Sequence, residues 1–285
     1  MSWVDGPLLG LDLETDSPDP DDAHLITAAI MHYRPGHELT RMSWVAKPTR
    51  PIPEEAARIH GYPTERAESE GKNPAAVVMD IAEVLDDLWS TDCPLICCNS
   101  PFDLTVIDRE LRRHHSEGAG YEIDGLPPVV DIYLIDRVAD PWRPGKRTLT
   151  DLSRHYGVPL DAAHDASADI HATMRIAYLQ GRRHRSANPW PIGATGTPMY
   201  EELEAWRVLS SGCPKALNAA ERRWYTTWSR GLAKHFRSPK ALENIERDHA
   251  AGLTIREQAD ELIRTLPARA DDVERNADGW PMRRR

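Results

Sequence analysis

The sequence predicts an α/β fold, because stretches typical of strands alternate with stretches typical of helices. Three strand-like stretches open the chain, at residues 8–15, 24–33 and 38–47, and they are rich in apolar, β-branched or aromatic residues. After them, helical periodicity alternates with two short apolar runs, at 93–98 and 129–135. With 285 residues, of which 40% are hydrophobic, the chain is long enough to bury a sizeable core.

The first strand carries two acids. Within residues 8–15, leucines alternate with Gly10, Asp12 and Glu14, so a strand places both carboxylates on one face and the leucines on the other. The two acids would then lie about 7 Å apart. Because an unpaired buried carboxylate is very costly, they must either face water, as on any solvated strand, or bind a cation.

A turn and two helices are predicted between the first strand and residue 89. The acidic, proline-broken segment 16–22 is expected to be a solvated turn. A short helix over 54–60 follows Pro53 and ends at Gly61. Apolar residues at helical spacing predict a longer helix over 74–89.

A central strand and a helix are predicted around the third acid. The run 93–98 is wholly apolar, which suits a strand covered on both faces. Ser100 fits an N-cap and Pro101 the first helical position, so we expect a helix over about 101–115. Asp103 is then either a capping-box acid or a metal ligand, and the two roles can coexist.

Residues 129–135 should pass from strand into helix at a point that the sequence leaves open. A loop at 141–147 then precedes a short helix over 149–156. In that loop Lys146 and Arg147 are either phosphate contacts or an exposed basic turn.

The last acid opens another helix, which should extend to about residue 180. His164 and Asp169 are five positions apart, which on one helix is about 140° of rotation, so they would point in different directions. If His164 lies in the loop before the helix, both side chains can face one cleft. A surface or capping histidine is the alternative interpretation.

Taken together, these motifs supply four carboxylates and one imidazole, the set that two-metal phosphodiester hydrolysis requires. Divalent cations such as Mg²⁺ prefer oxygen ligands, and an imidazole is suited to accept the proton of a water molecule at neutral pH. The residues are Asp12, Glu14, Asp103, Asp169 and His164.

The charge distribution divides the chain into two parts. The net charge of −10 is the sum of −15 over residues 1–180, with 16 basic and 31 acidic residues, and +5 over 181–285, with 19 and 14. An acidic domain contacts nucleic-acid phosphates poorly unless divalent metals invert the local charge. Neither a membrane span, a secretory leader, a zinc site nor a disulfide framework is indicated, so we expect a cytoplasmic protein.

Over about residues 5–182 the chain resembles the DEDDh exonucleases of the DnaQ-like, RNase H-like superfamily, and it is most similar to the proofreading epsilon subunits of bacterial replicative polymerases. The motifs appear in the family's order. They are residues 11–15, 58–61, 99–103, 130–132, 144–149 and 164–169.

The resemblance implies a mixed sheet of three antiparallel and then two parallel strands, flanked by helices. It implies that the four carboxylates bind two Mg²⁺ or Mn²⁺ ions, bridged by Asp12, and that His164 is the general base. It also places Thr15, Asn99 and Phe102 where family members contact the 3′-terminal nucleotide.

The remaining residues suggest a separate helical region. We expect an exonuclease domain over 1–182, a linker over 183–197 and a helical C-terminal region of unknown role over 198–285. Its helices are predicted at 198–210, 215–236, 239–250 and 254–266. Arginines around Trp224 and Trp228 would form a basic, aromatic surface for single strands, unless the tryptophans are packed core. Residues 282–285 should form a frayed tail.

The hypothesis from sequence is a metal-dependent 3′-to-5′ exonuclease acting on single-stranded or frayed DNA ends, with proofreading as one setting and a DNA polymerase as a partner of the C-terminal helices. Two alternatives remain open. One is an RNA exonuclease of the oligoribonuclease or RNase T kind, since sugar discrimination depends on the pocket around the 2′ position. The other is a non-catalytic module that tethers a polymerase.

Overall fold

Five strands form one mixed sheet in the computed structural model of the protein, which describes residues 3–116, 118–122, 125–140, 143, 145–160, 165–183, 213–250 and 256–283. The strands are β1 (Leu8–Thr15), β2 (Leu25–Tyr33), β3 (Thr40–Val45), β4 (Leu95–Cys97) and β5 (Val129–Asp131). Their order is β3-β2-β1-β4-β5. The first three pair antiparallel, and β4 and β5 extend the sheet parallel to β1, so the predicted topology is confirmed.

The helices of the described residues flank this sheet and form the C-terminal region. They are α1 (Glu54–His60), α2 (Thr64–Glu70), α3 (Pro74–Leu88), α4 (Ser100–His114), α5 (Ile132–Ala139), α6 (Leu149–Tyr156), α7 (Ala166–Arg183), α8 (Pro214–Phe236), α9 (Pro239–Ala250) and α10 (Arg256–Arg275). None of these helices is both long and apolar enough to cross a membrane.

Most of these helices follow the predicted bounds closely. Helix α2 is not predicted from the sequence pattern, because its residues are mostly polar and lack apolar helical spacing. Helix α10 continues to Arg275, well beyond the predicted end at residue 266. The predicted linker and the helix at 198–210 lie outside the described residues, apart from residue 183 at the end of α7.

Strand β1 is the central strand that receives α7. Leu9 and Leu11 are fully buried, as the alternation predicts. Gly10 points the opposite way, and a Cβ there would collide with the side chains of Ile170 and Met174 on α7. A glycine at this position therefore lets α7 approach the backbone of β1 closely.

Helix α8 covers the open edge of the sheet, along β5. The side-chain oxygen Oδ1 of Asn218 accepts a hydrogen bond from Val129 N at 3.2 Å. Oε1 of Glu221 accepts one from Asp131 N at 2.8 Å. Trp224 is 6% exposed and belongs to the main hydrophobic core, which confirms the packed-core interpretation for this residue. Edge strands need such protection, because their unpaired backbone groups invite association.

The loop at 16–22 is not simply the solvated turn that the sequence predicts. Asp16 is buried, and its carboxylate forms a two-point contact with Arg50, with Nε 2.5 Å from Oδ2. Asp21 pairs with Arg109 at 2.8 Å and with Arg283 at 3.0 Å. These arginines come from distant parts of the chain, so local sequence does not indicate them.

The predicted frayed tail is also wrong for its described residues. Met282 is 2% exposed, and Arg283 N donates a hydrogen bond to Thr105 Oγ1 of α4 at 2.7 Å. Arg283 forms ion pairs with Asp19 and Asp21 of the loop at 16–22, which explains why the described part of this segment packs against the domain.

Candidate active site

Three carboxylates converge beside β1. One oxygen of each of Asp12, Glu14 and Asp169 lies within 4.8 Å of the others. Asp12 and Glu14 share one face of β1, as the alternation predicts, and Asp169 comes from the first turn of α7. The close approach of α7 at Gly10 brings Asp169 to this face. We call these three residues the carboxylate cluster.

The fourth predicted ligand, Asp103, reaches the same strand from the first turn of α4. It is 4% exposed, and its carboxylate accepts hydrogen bonds from its own N–H and from Leu13 N–H. The charge of Asp103 also raises the pKa of Asp12, so the two carboxylates interact across the end of β1.

The capping-box interpretation of Asp103 is wrong. Ser100 is the first residue of α4 and its N–H donates to Asp131, at 2.7 Å, while Asn99 takes the N-cap position without a side-chain cap. Asn99 N–H also donates to Asp131, at 3.1 Å. A carboxylate from β5 thus satisfies the helix terminus, which leaves Asp103 to face β1.

Crowding and burial disfavour the charged forms of these acids. Burial, followed by the charges of Asp103, Glu14 and Asp169, raises the pKa of Asp12 well above its ordinary value. The pKa of Glu14 rises to about 8, first because of burial and then because of Asp169 and Asp165. Burial is also the main cause of the raised pKa of Asp103.

The residues fit a hard divalent cation. Among the described residues, no lysine or arginine forms an ion pair with Asp12, Glu14 or Asp103. Carboxylate oxygens are the ligands that Mg²⁺ and Mn²⁺ prefer, and a bound cation offsets the repulsion that raises these pKa values. The structure therefore supports metal binding here.

The start of α7 is described only in part. The predicted general base, His164, lies outside the described residues. Asp165 is exposed, and its Oδ1 accepts a hydrogen bond from Ala168 N at 3.0 Å, so it caps the helix. Asp169 follows in the first turn, where the sequence places it.

Three predicted substrate contacts lie at element ends near the acids. Thr15 is the last residue of β1 and its Oγ1 donates to Ser17 O at 2.8 Å. Asn99 is exposed and has a left-handed backbone, with φ of 71°. Phe102 is partly buried against the core. Their contact with a nucleotide stays a prediction.

The two basic residues of the loop before α6 differ sharply. Lys146 is exposed, whereas Arg147 is 8% exposed and its Nε lies 3.0 Å from Oδ2 of Asp136. Nη2 of Arg147 also donates to Asp140 O. The guanidinium of Arg147 thus forms hydrogen bonds inside the protein. Lys146 is exposed, so a phosphate could reach its side chain.

The sequence analysis places Asp131 and Asp165 inside motifs but assigns them no role, and it does not single out Glu221. Asp131 is the last residue of β5 and the N-cap of α5. Asp103 also follows a strand and lies at the start of a helix, so the similar position of Asp131 could have indicated its importance. Asp165 stands at a helix start, where acids commonly cap. Glu221 has no local signal, because a glutamate in a polar helix is normally exposed, yet it is fully buried.

Comparison with known proteins identifies a family. A family model described as an exonuclease matches residues 9–177. This match contains all four carboxylates and ends before α8 begins. No curated protein sequence matches the chain.

Solved structures share the fold. E. coli exonuclease I in complex with a dT13 oligonucleotide is 20% identical, with a TM-score of 0.53 over 63% of this chain and 42% of that chain. A zinc-bound complex of the same enzyme with single-stranded DNA is 21% identical, with a TM-score of 0.53 over 62% and 41%. The chain therefore spans less than half the length of the exonuclease I chains that it matches.

Proposed function

Because this chain belongs to the exonuclease family, we propose that it is a metal-dependent 3′-to-5′ exonuclease of the DEDDh type. Its substrate is DNA, as single strands or frayed 3′ ends. The reaction hydrolyses the terminal phosphodiester bond and releases a nucleoside 5′-monophosphate.

The carboxylate cluster is the observation that carries this proposal. Three carboxylate oxygens lie within 4.8 Å of one another, and burial and the neighbouring acids raise the pKa of Asp12 and of Glu14, so this site gains stability by binding cations. DNA also needs those cations, since phosphates would otherwise meet an acidic surface.

Each residue has a distinct role. Asp12, Glu14, Asp103 and Asp169 would hold two Mg²⁺ or Mn²⁺ ions. When bound, such ions supply a Lewis acid for the phosphate, activate a water molecule and stabilise the leaving oxygen. An imidazole nitrogen of His164 accepts the proton of the attacking water. The water oxygen bonds to phosphorus, and the bond from phosphorus to the 3′ oxygen breaks.

DNA is favoured over RNA by the structural neighbours, whose complexes contain single-stranded DNA. Thr15, Asn99 and Phe102 contact the 3′-terminal nucleotide, and Lys146 contacts a phosphate. Arg147 orders its loop through Asp136 rather than by binding substrate.

Proofreading beside a polymerase is the physiological setting that we propose, and the protein acts in the cytoplasm. Helix α8 uses one face to cover β5, so a polymerase would bind other surfaces of the C-terminal region. The exposed side of α9, which includes Leu242 at 43% exposure, is such a surface.

The test is nucleotide release from matched DNA and RNA oligomers labelled at the 5′ or the 3′ end, with Mn²⁺ or with a chelator. We expect stepwise shortening of DNA from the 3′ end that requires the metal. The Asp12→Asn variant should lose more than about 100-fold of this activity, because it removes a ligand rather than a supporting group.

The matched control is Asp80→Asn, which makes the same change at an exposed position on α3 and should leave the rate unchanged. Faster digestion of RNA would reassign the substrate. Full activity in Asp12→Asn, or release of nucleotides from the 5′ end, would contradict the proposal.

A further inference from the structure

Glu221 connects the C-terminal helices to the active site, although it lies outside the residues that the family model matches. It is fully buried on α8, and its Oε1 accepts a hydrogen bond from the backbone N–H of Asp131 at 2.8 Å. Its Oε2 has no hydrogen-bond partner among the described residues. Asp131 is the last residue of β5, so this bond fixes the end of the edge strand.

Asp131 in turn organises two helix starts. Its carboxylate accepts hydrogen bonds from Asn99 N at 3.1 Å and Ser100 N at 2.7 Å, where α4 begins. It also accepts from Tyr133 N at 2.9 Å and Leu134 N at 3.3 Å, where α5 begins. One buried carboxylate thus ties together β5, α4 and α5, and any shift of Asp131 would be transmitted to the first turn of α4.

That first turn carries Asp103, three residues after Ser100. The Asp103 carboxylate is held against β1 by Leu13 N–H, beside Asp12. A second contact holds α4 from the same C-terminal region, since Arg283 N donates to Thr105 Oγ1 at 2.7 Å. The C-terminal region therefore reaches α4 in two ways, directly at Thr105 and through Asp131 at the start of the helix.

We propose that Glu221 is a positioning residue for the active site, acting through Asp131 to hold Asp103 in place for metal binding. The C-terminal helices are then part of the catalytic unit rather than a separate tether. This inference rests on the proposed function for its consequence in catalysis, but its effect on metal affinity can be measured without any nuclease assay.

The hydrogen bond from Asp131 N–H requires an acceptor oxygen at position 221 but does not require a negative charge there. Burial raises the pKa of Glu221 well above its ordinary value, which favours the neutral acid. Glutamine retains an oxygen that can accept from Asp131 N–H in the same shape. Methionine has a similar length and fills the space, but it offers no comparable acceptor.

The experiment compares Glu221→Gln and Glu221→Met in the full chain. Mn²⁺ affinity is measured by calorimetry, and turnover and KM are measured on single-stranded DNA at saturating and limiting Mn²⁺. We expect Glu221→Met to weaken Mn²⁺ binding and lower turnover at limiting metal on the order of tenfold, as supporting residues of metal sites do. KM for DNA should change little, and Glu221→Gln should behave as wild type.

Asn218→Ala is the matched control, because Asn218 accepts from Val129 N on the same strand and from the same helix. It should lower thermal stability without weakening Mn²⁺ binding. Wild-type Mn²⁺ affinity in Glu221→Met, or equal losses in Glu221→Met and Asn218→Ala, would overturn the proposal. If the wild type binds Mn²⁺ but cleaves nothing, the proposed function fails and the affinity comparison still decides the role of Glu221.

Discussion

The carboxylate of Asp136 and those of the carboxylate cluster differ in the charge of the side chains around them. The Asp136 side chain is fully buried, and arginine donors surround it: Arg143 Nη2 lies 2.6 Å and Arg147 Nε 3.0 Å from its Oδ2. Tyr156 donates a further hydrogen bond to Oδ1, at 2.9 Å. In the carboxylate cluster, by contrast, Asp12 and Glu14 form no ion pair with any described lysine or arginine, and their neighbours are other acids.

The difference separates a structural charge from a functional one. The Asp136 network is complete within the chain, so its role is to hold α5 to the loop before α6. The carboxylate cluster is incomplete without a cation, and folding alone would not retain it, since crowded carboxylates raise the free energy of the folded state. The lack of lysine or arginine partners for Asp12 and Glu14 among the described residues is therefore the stronger sign of metal chemistry.

The largest expected effect on stability comes from a substitution that breaks the Asp136 network. Asp136→Asn leaves two nearly buried arginines without their counter-charge, and we expect a loss of about 3–5 kcal/mol in the free energy of unfolding. Asp12→Asn in the presence of a chelator should cause no loss, because it removes a carboxyl group whose burial among other acids destabilises the folded state. Urea unfolding of both variants measures the contrast. Equal destabilisation would mean that the two groups of acids do not differ as described.

The second largest effect on stability is expected from Mn²⁺ binding to the carboxylate cluster. A ligand that binds only the folded state at 100 times its Kd stabilises it by about 2.7 kcal/mol, so Mn²⁺ should raise the unfolding free energy by that order. The increase should vanish in Asp12→Asn and persist in Asp80→Asn. Thermal unfolding with and without Mn²⁺ provides the measurement, and stabilisation of Asp12→Asn equal to that of the wild type would place the ion elsewhere.

The smallest effect is the pH dependence of the metal-free protein. The pKa of Glu14 is about 8 in the folded state, against an ordinary value of 4.5, because of burial and the charges of Asp169 and Asp165. Between these values the folded protein holds a proton that the unfolded chain has released. Stability should therefore fall as pH rises from about 4.5 to 8.

Urea midpoints at several pH values in chelator test this expectation. Glu14→Gln should flatten the decline, and saturating Mn²⁺ should remove it in the wild type because the ion replaces the proton. A decline that is as steep in Glu14→Gln as in the wild type would exclude Glu14 as its source.

Local patterns in the sequence determined the strands, most helices and the face that the acids share. The alternation of leucines with Asp12 and Glu14 fixes their common face, because side chains on a strand alternate every two residues. Gly61 ends α1 in a left-handed conformation, as its position after a helical stretch predicts. The boundary inside 129–135 stayed open, because strand and helix both accept short apolar runs, and the structure places it between Asp131 and Ile132.

Only the tertiary structure decided which charges are used internally. The sequence suggests that Arg147 contacts a phosphate, but in the structure it pairs with Asp136. A glutamate in a polar helix is expected at the surface, but Glu221 is buried against β5. Arg283 meets Asp21 across most of the length of the chain. Sequence periodicity records the neighbours of a residue within a few turns, whereas these pairings join segments brought together by packing. The sequence thus determines what each element presents, and packing determines which of those groups remain available for chemistry.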